Sequence, residues 1–204
     1  MKKLFFIALL SFAIWGITGC TPKDDNVLAV EQLTHRLIPD YADRFVFEVA
    51  PEKDKDYYSL ESKGGKILIR GNNANSMAAG LNYYLKYYCL TTVSWYADIP
   101  VEMPDALPEV KEPVTIEAKV DNRFFLNYCT YGYSMPFWQW QDWERLIDWM
   151  ALNGVNMPLA ITGQEAVWYE VWKKEGLTDE EIRSYFTGPT YLPWHRMANI
   201  DGWN

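Results

Sequence analysis

Residues 124–161 read FFLNYCTYGYSMPFWQWQDWERLIDWMALNGVNMPLAI, and the reading of this stretch decides the fold. Phe124 to Thr130 is a short apolar run of strand type. Within Trp140 to Asn153, Trp143, Leu146, Ile147 and Met150 recur at i, i+3, i+4 and i+7, one face of a helix, and Gly154 supplies its stop. Val155 to Ile161 is a second strand run. Strand, loop, helix, strand is the opening of a parallel α/β unit. Downstream, Thr162 to Glu165 is a loop and Ala166 to Glu175 a helix closed by Gly176. Thr178, with Glu181 three residues on, forms a capping box for a helix running to Phe186, ahead of Gly188-Pro189.

From Phe124 to Asn204 the chain is far shorter than the roughly 250 residues of a complete (β/α)₈ barrel. The stretch is therefore a small α/β layer or the start of a larger domain. It closes on Ile200-Asp201-Gly202-Trp203-Asn204, with neither a final helix nor a charged tail, and the expectation is that a larger domain continues beyond it.

Upstream, Asn26 to Ile38 has helical spacing, with Pro39 ending it. Arg44 to Ala50 alternates Phe45, Phe47 and Val49, as a strand does. Tyr57 to Ser62 and Lys66 to Arg70 are strand runs joined by the hairpin signal Lys63-Gly64-Gly65. After a polar turn, Met77 to Tyr88 reads as a helix and Thr91 to Tyr96 as extended. The order β-β-β-α-β after an opening helix predicts a small α+β domain with a helix laid on a sheet. Pro100, Pro104, Pro108 and Pro113 then mark a linker or an extended crossing, where the domain boundary is placed.

The first residues read as an address. Lys2 and Lys3 precede an apolar stretch from Leu4 to Ile17, followed by Ile17-Thr18-Gly19-Cys20. A basic start, a short apolar core and small residues before a cut site describe an export signal. The Ile-Thr-Gly-Cys ending resembles the lipobox of bacterial lipoproteins, which implies an acylated Cys20 as mature N-terminus and anchorage by its acyl chains. The expected organisation is a signal over 1–19, an α+β domain with its Pro-rich linker over 20–113, and the opening β/α units of an incomplete (β/α)₈ (TIM) barrel over 114–204. The expected location is the bacterial envelope, lipid-anchored at the outer membrane on its periplasmic or surface side.

Composition narrows the partners. The 204 residues are 49% hydrophobic, 23% charged and 16% aromatic, with a net charge of −8. That is globular, and it argues against nucleic acid, whose phosphates call for a dense Lys/Arg surface. Eight of the ten tryptophans lie between Trp138 and Trp203. Cys89 and Cys129 could pair in an oxidising compartment, yet both end apolar patterns and read as buried free thiols. His35 and His195 lack partners at metal-ligand spacing and read as surface or core residues. No phosphate loop or dinucleotide fingerprint is present, so no cofactor and no metal is expected.

Four blocks then carry a resemblance. They are Arg123–Thr130 with Tyr133-Ser134; Trp143-Glu144-Arg145 with Ile147–Asn156; Gly163–Ala166 with Trp168; and Phe186–Pro189 with Leu192, Trp194 and Arg196-Met197. Together they resemble the start of the catalytic domain of the α-N-acetylglucosaminidases, glycoside hydrolase family 89, and the upstream domain is similar to that family's small N-terminal domain. The resemblance implies a (β/α)₈ barrel followed by a mostly helical domain. It also implies retaining, exo-acting removal of terminal α-linked N-acetylglucosamine from glycans. Retention needs two carboxyls about 5–5.5 Å apart. The family's two glutamates belong to later barrel strands, so no catalytic residue is assigned in this chain, and the 204 residues alone are expected to be inactive.

What the chain can supply is one wall of the sugar site, formed at the C-terminal ends of barrel strands. By block alignment Asn127, Cys129, Tyr133 and Trp194 match pocket positions. A phenol or indole face suits the C–H face of a sugar, and an amide bonds its hydroxyls. For Tyr133 and Trp194 the competing reading is ordinary core. Gln164 and Glu165 are weaker candidates; Glu165 caps the following helix or supports the pocket from behind. Asp148 and Glu144 are expected to face solvent or neighbouring helices, and Trp140, Trp143 and Trp149 to pack. The alternative to an enzyme is a non-catalytic glycan-binding surface lipoprotein.

Overall fold

A computed structural model describes residues 23–97 and 99–200. The expected signal segment and Cys20 lie outside the described residues. Helix α1 (Asp25–Leu37) begins where the Asp24 carboxylate accepts the Asn26 N–H at 2.8 Å, and it ends before Pro39, whose ring disfavours a helical residue ahead of it. Val27, Val30 and Leu33 form its buried face.

Three strands follow: β1 (Phe45–Val49), β2 (Tyr57–Lys63) and β3 (Lys66–Gly71). The β2–β3 turn sets Gly64 and Gly65 at φ 60° and 76°. Two successive left-handed residues make the tight turn whose twist matches the strands. Helix α2 (Ala74–Tyr87) is capped by Asn73, whose side chain accepts the Ser76 N–H, and it lies on the sheet. Gly80 permits this approach: a Cβ there would stand 2.8 Å from Ile69 Cγ2. Phe45, Phe47, Leu60, Ile67, Ile69, Met77, Leu81, Tyr84 and Leu85 make the core of this unit.

The sheet order is β1-β3-β2-β4, with β1 parallel to β3 and the other pairs antiparallel. Its fourth strand, β4, is Val114–Glu117, just past the expected boundary at residue 113. The expected extended run at Thr91–Tyr96 makes no ladder. Leu90 adopts φ 57°, which turns the chain off the end of α2; Val93 then packs on the first core and Trp95 on the second. The proline-rich segment between them is an extended crossing held on the sheet, not a loose linker. Val110 is buried, its N–H donates to Ser62 Oγ at 2.8 Å, and Tyr84 donates its hydroxyl to the Pro108 carbonyl at 2.7 Å.

The second unit holds β5 (Phe124–Phe125), α3 (Thr130–Tyr133), α4 (Trp140–Leu152), β6 (Met157–Pro158), α5 (Gln164–Lys174), α6 (Asp179–Tyr185) and α7 (Leu192–Arg196). β5 and β6 pair in parallel across α4. Both strands are shorter than the apolar runs that announce them. Leu126 at φ 77° breaks the first, and the last bond of the second is the Leu159 N–H donating to the Phe125 carbonyl at 3.0 Å. The predicted helices over 140–153, 166–175 and 178–186 all form, the last with both halves of its Thr178–Glu181 box. Leu146, Met150, Tyr131, Met135 and Ile161 form a second core.

The two units are joined by the packing of α4 on α2, with Leu152 buried in the first core, and by polar contacts. Arg36 of α1 holds Asp148 of α4 with bonds of 2.8 and 2.6 Å, and lies 3.8 Å from Glu144. These acids face a neighbouring helix, as expected. Asn75 donates to the Val155 carbonyl at 2.6 Å. Arg123, at the entry to β5, bonds Asp56 beside β2, the Gly154 carbonyl at 2.5 Å and the Val120 carbonyl at 3.0 Å.

Candidate functional site

The loop after β5 carries three of the four expected wall residues within seven positions. Asn127 Oδ1 accepts the Thr130 N–H at 3.2 Å and the Thr130 hydroxyl at 3.0 Å. The amide thus starts the α3 turn and keeps its NH₂ group for other contacts. Cys129 is the residue before α3, half-buried. Both cysteines are free thiols, and burial pushes the Cys89 thiol above its usual range. Tyr133 closes the turn with its ring 76% exposed.

Trp194 comes to this loop from α7. Its ring meets Tyr133 edge to face, centroids 5.3 Å apart at 89°. The close seating has a cause that sequence reading missed. Gly132 lies under the indole: a Cβ there would stand 2.5 Å from Trp194 Cζ3 and 2.8 Å from the Thr190 carbonyl oxygen. The signal was available only as Gly132 beside Tyr133, and nothing local says which distant ring it must admit. Tyr133 and Trp194 therefore form an aromatic pair in which Tyr133 is exposed and Trp194 half-buried, and Tyr133 is not a core residue.

Glu165 does not cap α5 with its side chain. The residue before that helix is Gly163, at φ 92°, and the Glu165 carboxylate instead grips Arg196 of α7 through two bonds of 2.6 and 2.8 Å. The Arg196 side chain is 4% exposed and the Glu165 side chain 16%. A bidentate pair this far from water fixes α7, and with it Trp194, against α5. Gln164 is the first residue of α5 and is half-buried. Beneath α3, Tyr131 donates its hydroxyl to the Leu159 carbonyl and stacks on Trp143; burial raises its titration above the usual phenol range.

The remaining aromatics are mostly packing. Trp143 and Trp149 join Trp95 and Trp138 against the second core, whereas Trp140, expected to pack, is 63% exposed. His35 is on the surface. His195 is buried among Tyr185, Phe186 and Trp168, with Tyr185 edge-on at 4.6 Å. No cluster of three metal-ligating side chains occurs among the described residues.

Of two hollows of similar volume, one adjoins these features. One, of about 320 Å³, is lined by Trp95, Tyr96, Tyr133, Ser134, Trp138, Asp142 and Arg145. The other, of about 310 Å³, lies between the units, with Tyr58, Tyr83 and Tyr87 on one side and Arg123 and Asn153 on the other. The first shares Tyr133 with the aromatic pair; the second is remote from it in sequence and in lining.

Known proteins give this geometry a context. Residues 123–204 match the family model of the α-N-acetylglucosaminidase TIM-barrel domain, and residues 28–109 match the model of that family's N-terminal domain. Human α-N-acetylglucosaminidase is 41% identical over 182 residues, covering 86% of this chain and 24% of that protein. A family 89 glycoside hydrolase from Clostridium perfringens, solved with 2-acetamido-1,2-dideoxynojirmycin, superposes with a TM-score of 0.81 at 38% identity. The match covers 87% of this chain and 20% of that one. The same figures hold for a doubly Glu-to-Gln substituted form of the Clostridium perfringens protein, solved with its substrate GlcNAc-α-1,4-galactose. The chain thus spans about a quarter of the human relative and a fifth of the bacterial one.

Proposed function

Since the chain belongs to the α-N-acetylglucosaminidase family of glycoside hydrolases, we propose that it is the N-terminal part of a retaining exo-α-N-acetylglucosaminidase. Its substrate is a glycan ending in α-linked N-acetylglucosamine. The β5-α4-β6 crossover is the opening unit of a (β/α)₈ barrel, and the loop after β5 with α7 is one flank of the sugar site. The observation that carries this reading is the contact between exposed Tyr133 and half-buried Trp194, which brings residues far apart in sequence together on the turn that also carries Asn127 and Cys129. Such a pair suits the apolar face of a pyranose, with the Asn127 amide free to bond a hydroxyl.

In this reading the acid/base and the nucleophile are not among these 204 residues. Glu165, the carboxylate nearest the flank in sequence logic, is committed to Arg196. The 204-residue chain should therefore give no release of aglycone from an aryl α-N-acetylglucosaminide, whereas the protein extended through the later barrel strands should. Turnover by the short chain overturns the placement of the acids.

The proposal extends to location. Export through the residue 1–19 signal and acylation of Cys20 would tether the enzyme to the envelope membrane, each buried CH₂ contributing roughly 0.8 kcal/mol. Cells fed a labelled fatty acid should transfer label to the protein, and Cys20→Ala should abolish it; label persisting in that variant refutes the anchor.

A further inference from the structure

The run Tyr83-Tyr84-Leu85-Lys86-Tyr87-Tyr88 divides the phenols of α2 between two faces. Tyr84 lies in the core and donates its hydroxyl to the Pro108 carbonyl at 2.7 Å. Tyr57 and Tyr131 are tied in the same way, to the carbonyls of Pro51 and Leu159. Tyr83 and Tyr87 turn elsewhere and meet Tyr58 of β2. The Tyr83 ring centre lies 5.9 Å from that of Tyr58 and 4.6 Å from that of Tyr87. Among the described residues none of these three hydroxyls bonds another protein group. Phenols taken out of water usually find a partner. Packing accounts for the three rings and leaves the three hydroxyls unexplained. Burial, helped by the two neighbouring phenols, pushes the Tyr58 titration up, so its hydroxyl stays a donor.

The three rings line the hollow of about 310 Å³ between the units. It lies at the starts of β5 and β6, beside Arg123 and Gly154, whereas Asn127 and Tyr133 follow the other end of β5. Its volume is at the small end for ligand pockets, enough for one ring. The phenol planes are tilted by 52° and 47° to one another, a curved wall and not the flat slot that a planar base requires. Across from them Asn82 Nδ2 meets Asn153 Oδ1 at 3.5 Å, which leaves the Asn82 carbonyl oxygen for a hydroxyl. Arg123 is spent on Asp56 and on the carbonyls of Gly154, Val120 and Asp121. The other charges on the hollow are Lys86 and Glu117, one of each sign. A puckered ring with a C–H face, several hydroxyls and no charge fits this lining.

We propose that this hollow is a second sugar site, which holds one neutral pyranose unit of a glycan against Tyr58, Tyr83 and Tyr87 without cleaving it. Hydrolysis with retention takes two carboxyls, and here Asp56 is committed to Arg123. The site stands independently of the glycosidase reading.

The test uses the full-length protein saturated with 2-acetamido-1,2-dideoxynojirmycin, the compound bound in the Clostridium perfringens relative, so that further binding is read elsewhere. Methyl β-galactoside, titrated by calorimetry, should bind this blocked protein at one site. Tyr87→Ala should weaken that binding about tenfold and Tyr87→Phe about threefold, because the ring carries more than the hydroxyl. Tyr87 is 58% exposed, and an unchanged melting temperature and inhibitor affinity in the Ala variant show that the fold is intact. Methyl glucuronide should bind no tighter than the galactoside, since its charge meets Glu117 as well as Lys86. No galactoside binding by the blocked wild type, or equal binding by Tyr87→Ala, overturns the site. Tighter binding of the glucuronide overturns its neutral class. If the inhibitor itself does not bind, the glycosidase reading fails, while wild type against Tyr87→Ala still decides the hollow.

Discussion

Gly132 shows how one missing methyl group can shape an aromatic surface. The Trp194 ring and the Thr190 carbonyl occupy the space a Cβ would need, and a backbone oxygen cannot step aside as a flexible side chain can. Gly132→Ala should therefore push Trp194 off Tyr133. The expected cost is about 1–3 kcal/mol of stability, read by urea unfolding. In the full-length enzyme it should appear as a several-fold rise in KM for GlcNAc-terminated substrates. Unchanged unfolding and unchanged KM would show that the pair is not held by that contact. Glycine's importance here was illegible beforehand, because the sequence lists Gly132 without its partner sixty residues away. Asn127, Cys129 and Tyr133 were legible as candidates only through the family blocks, and their own spacing predicts no more than a polar turn. Glu165 was half legible: its nearness to a helix start was clear, but not that it lies inside the first turn, nor the arginine that claims it.

At the level of elements, the longer helices and the first three strands announce themselves, whereas the strands of the second unit do not. The helices carry local instructions: an apolar period of 3.6, the caps Asp24, Asn73 and Thr178 at α1, α2 and α6, and the stops Pro39 after α1 and Gly154 after α4. Each of those signals acts within a turn or two, so the sequence holds the whole cause. A strand's length depends on what lies beside it. Phe124–Thr130 and Val155–Ile161 both look long enough for extended ladders, yet only Phe124–Phe125 and Met157–Pro158 pair. Thr91–Tyr96 has strand composition and no neighbour, while Val114–Glu117 finds β2 at Tyr57–Leu60. The Gly64-Gly65 hairpin is the exception, because its turn geometry is local and sets the register of both its strands.

Across the molecule, the α2–α4 packing and a few ion pairs hold two separate cores together. Asp56 is the acid in the most connected of these pairs. Burial opposes its charge, but Arg123, Asn73 and Asn72 outweigh that, so its carboxyl titrates below the usual range. A folded value below the unfolded one, about 3.9, adds stability that is fully present above that pH and is lost as pH falls through the folded value. Asp56→Asn should lower the urea midpoint at pH 7, and the gap from wild type should narrow as pH falls below about 4. A gap that stays constant with pH would show that the contact acts by shape and not by charge.

The position of β4 carries a practical consequence for dissecting the protein. Its four residues cover the side of β2 that β3 leaves open, and the Ala118 N–H continues the contact by donating to the Asp56 carbonyl at 2.8 Å. An N-terminal fragment cut at Pro113 would lose that cover and present a row of vacant amides and carbonyls, a template on which a second molecule can add its own strand. Such a fragment would report strand-swapped dimers or precipitate as if they were native properties. One that runs past Ala118 keeps the sheet sealed.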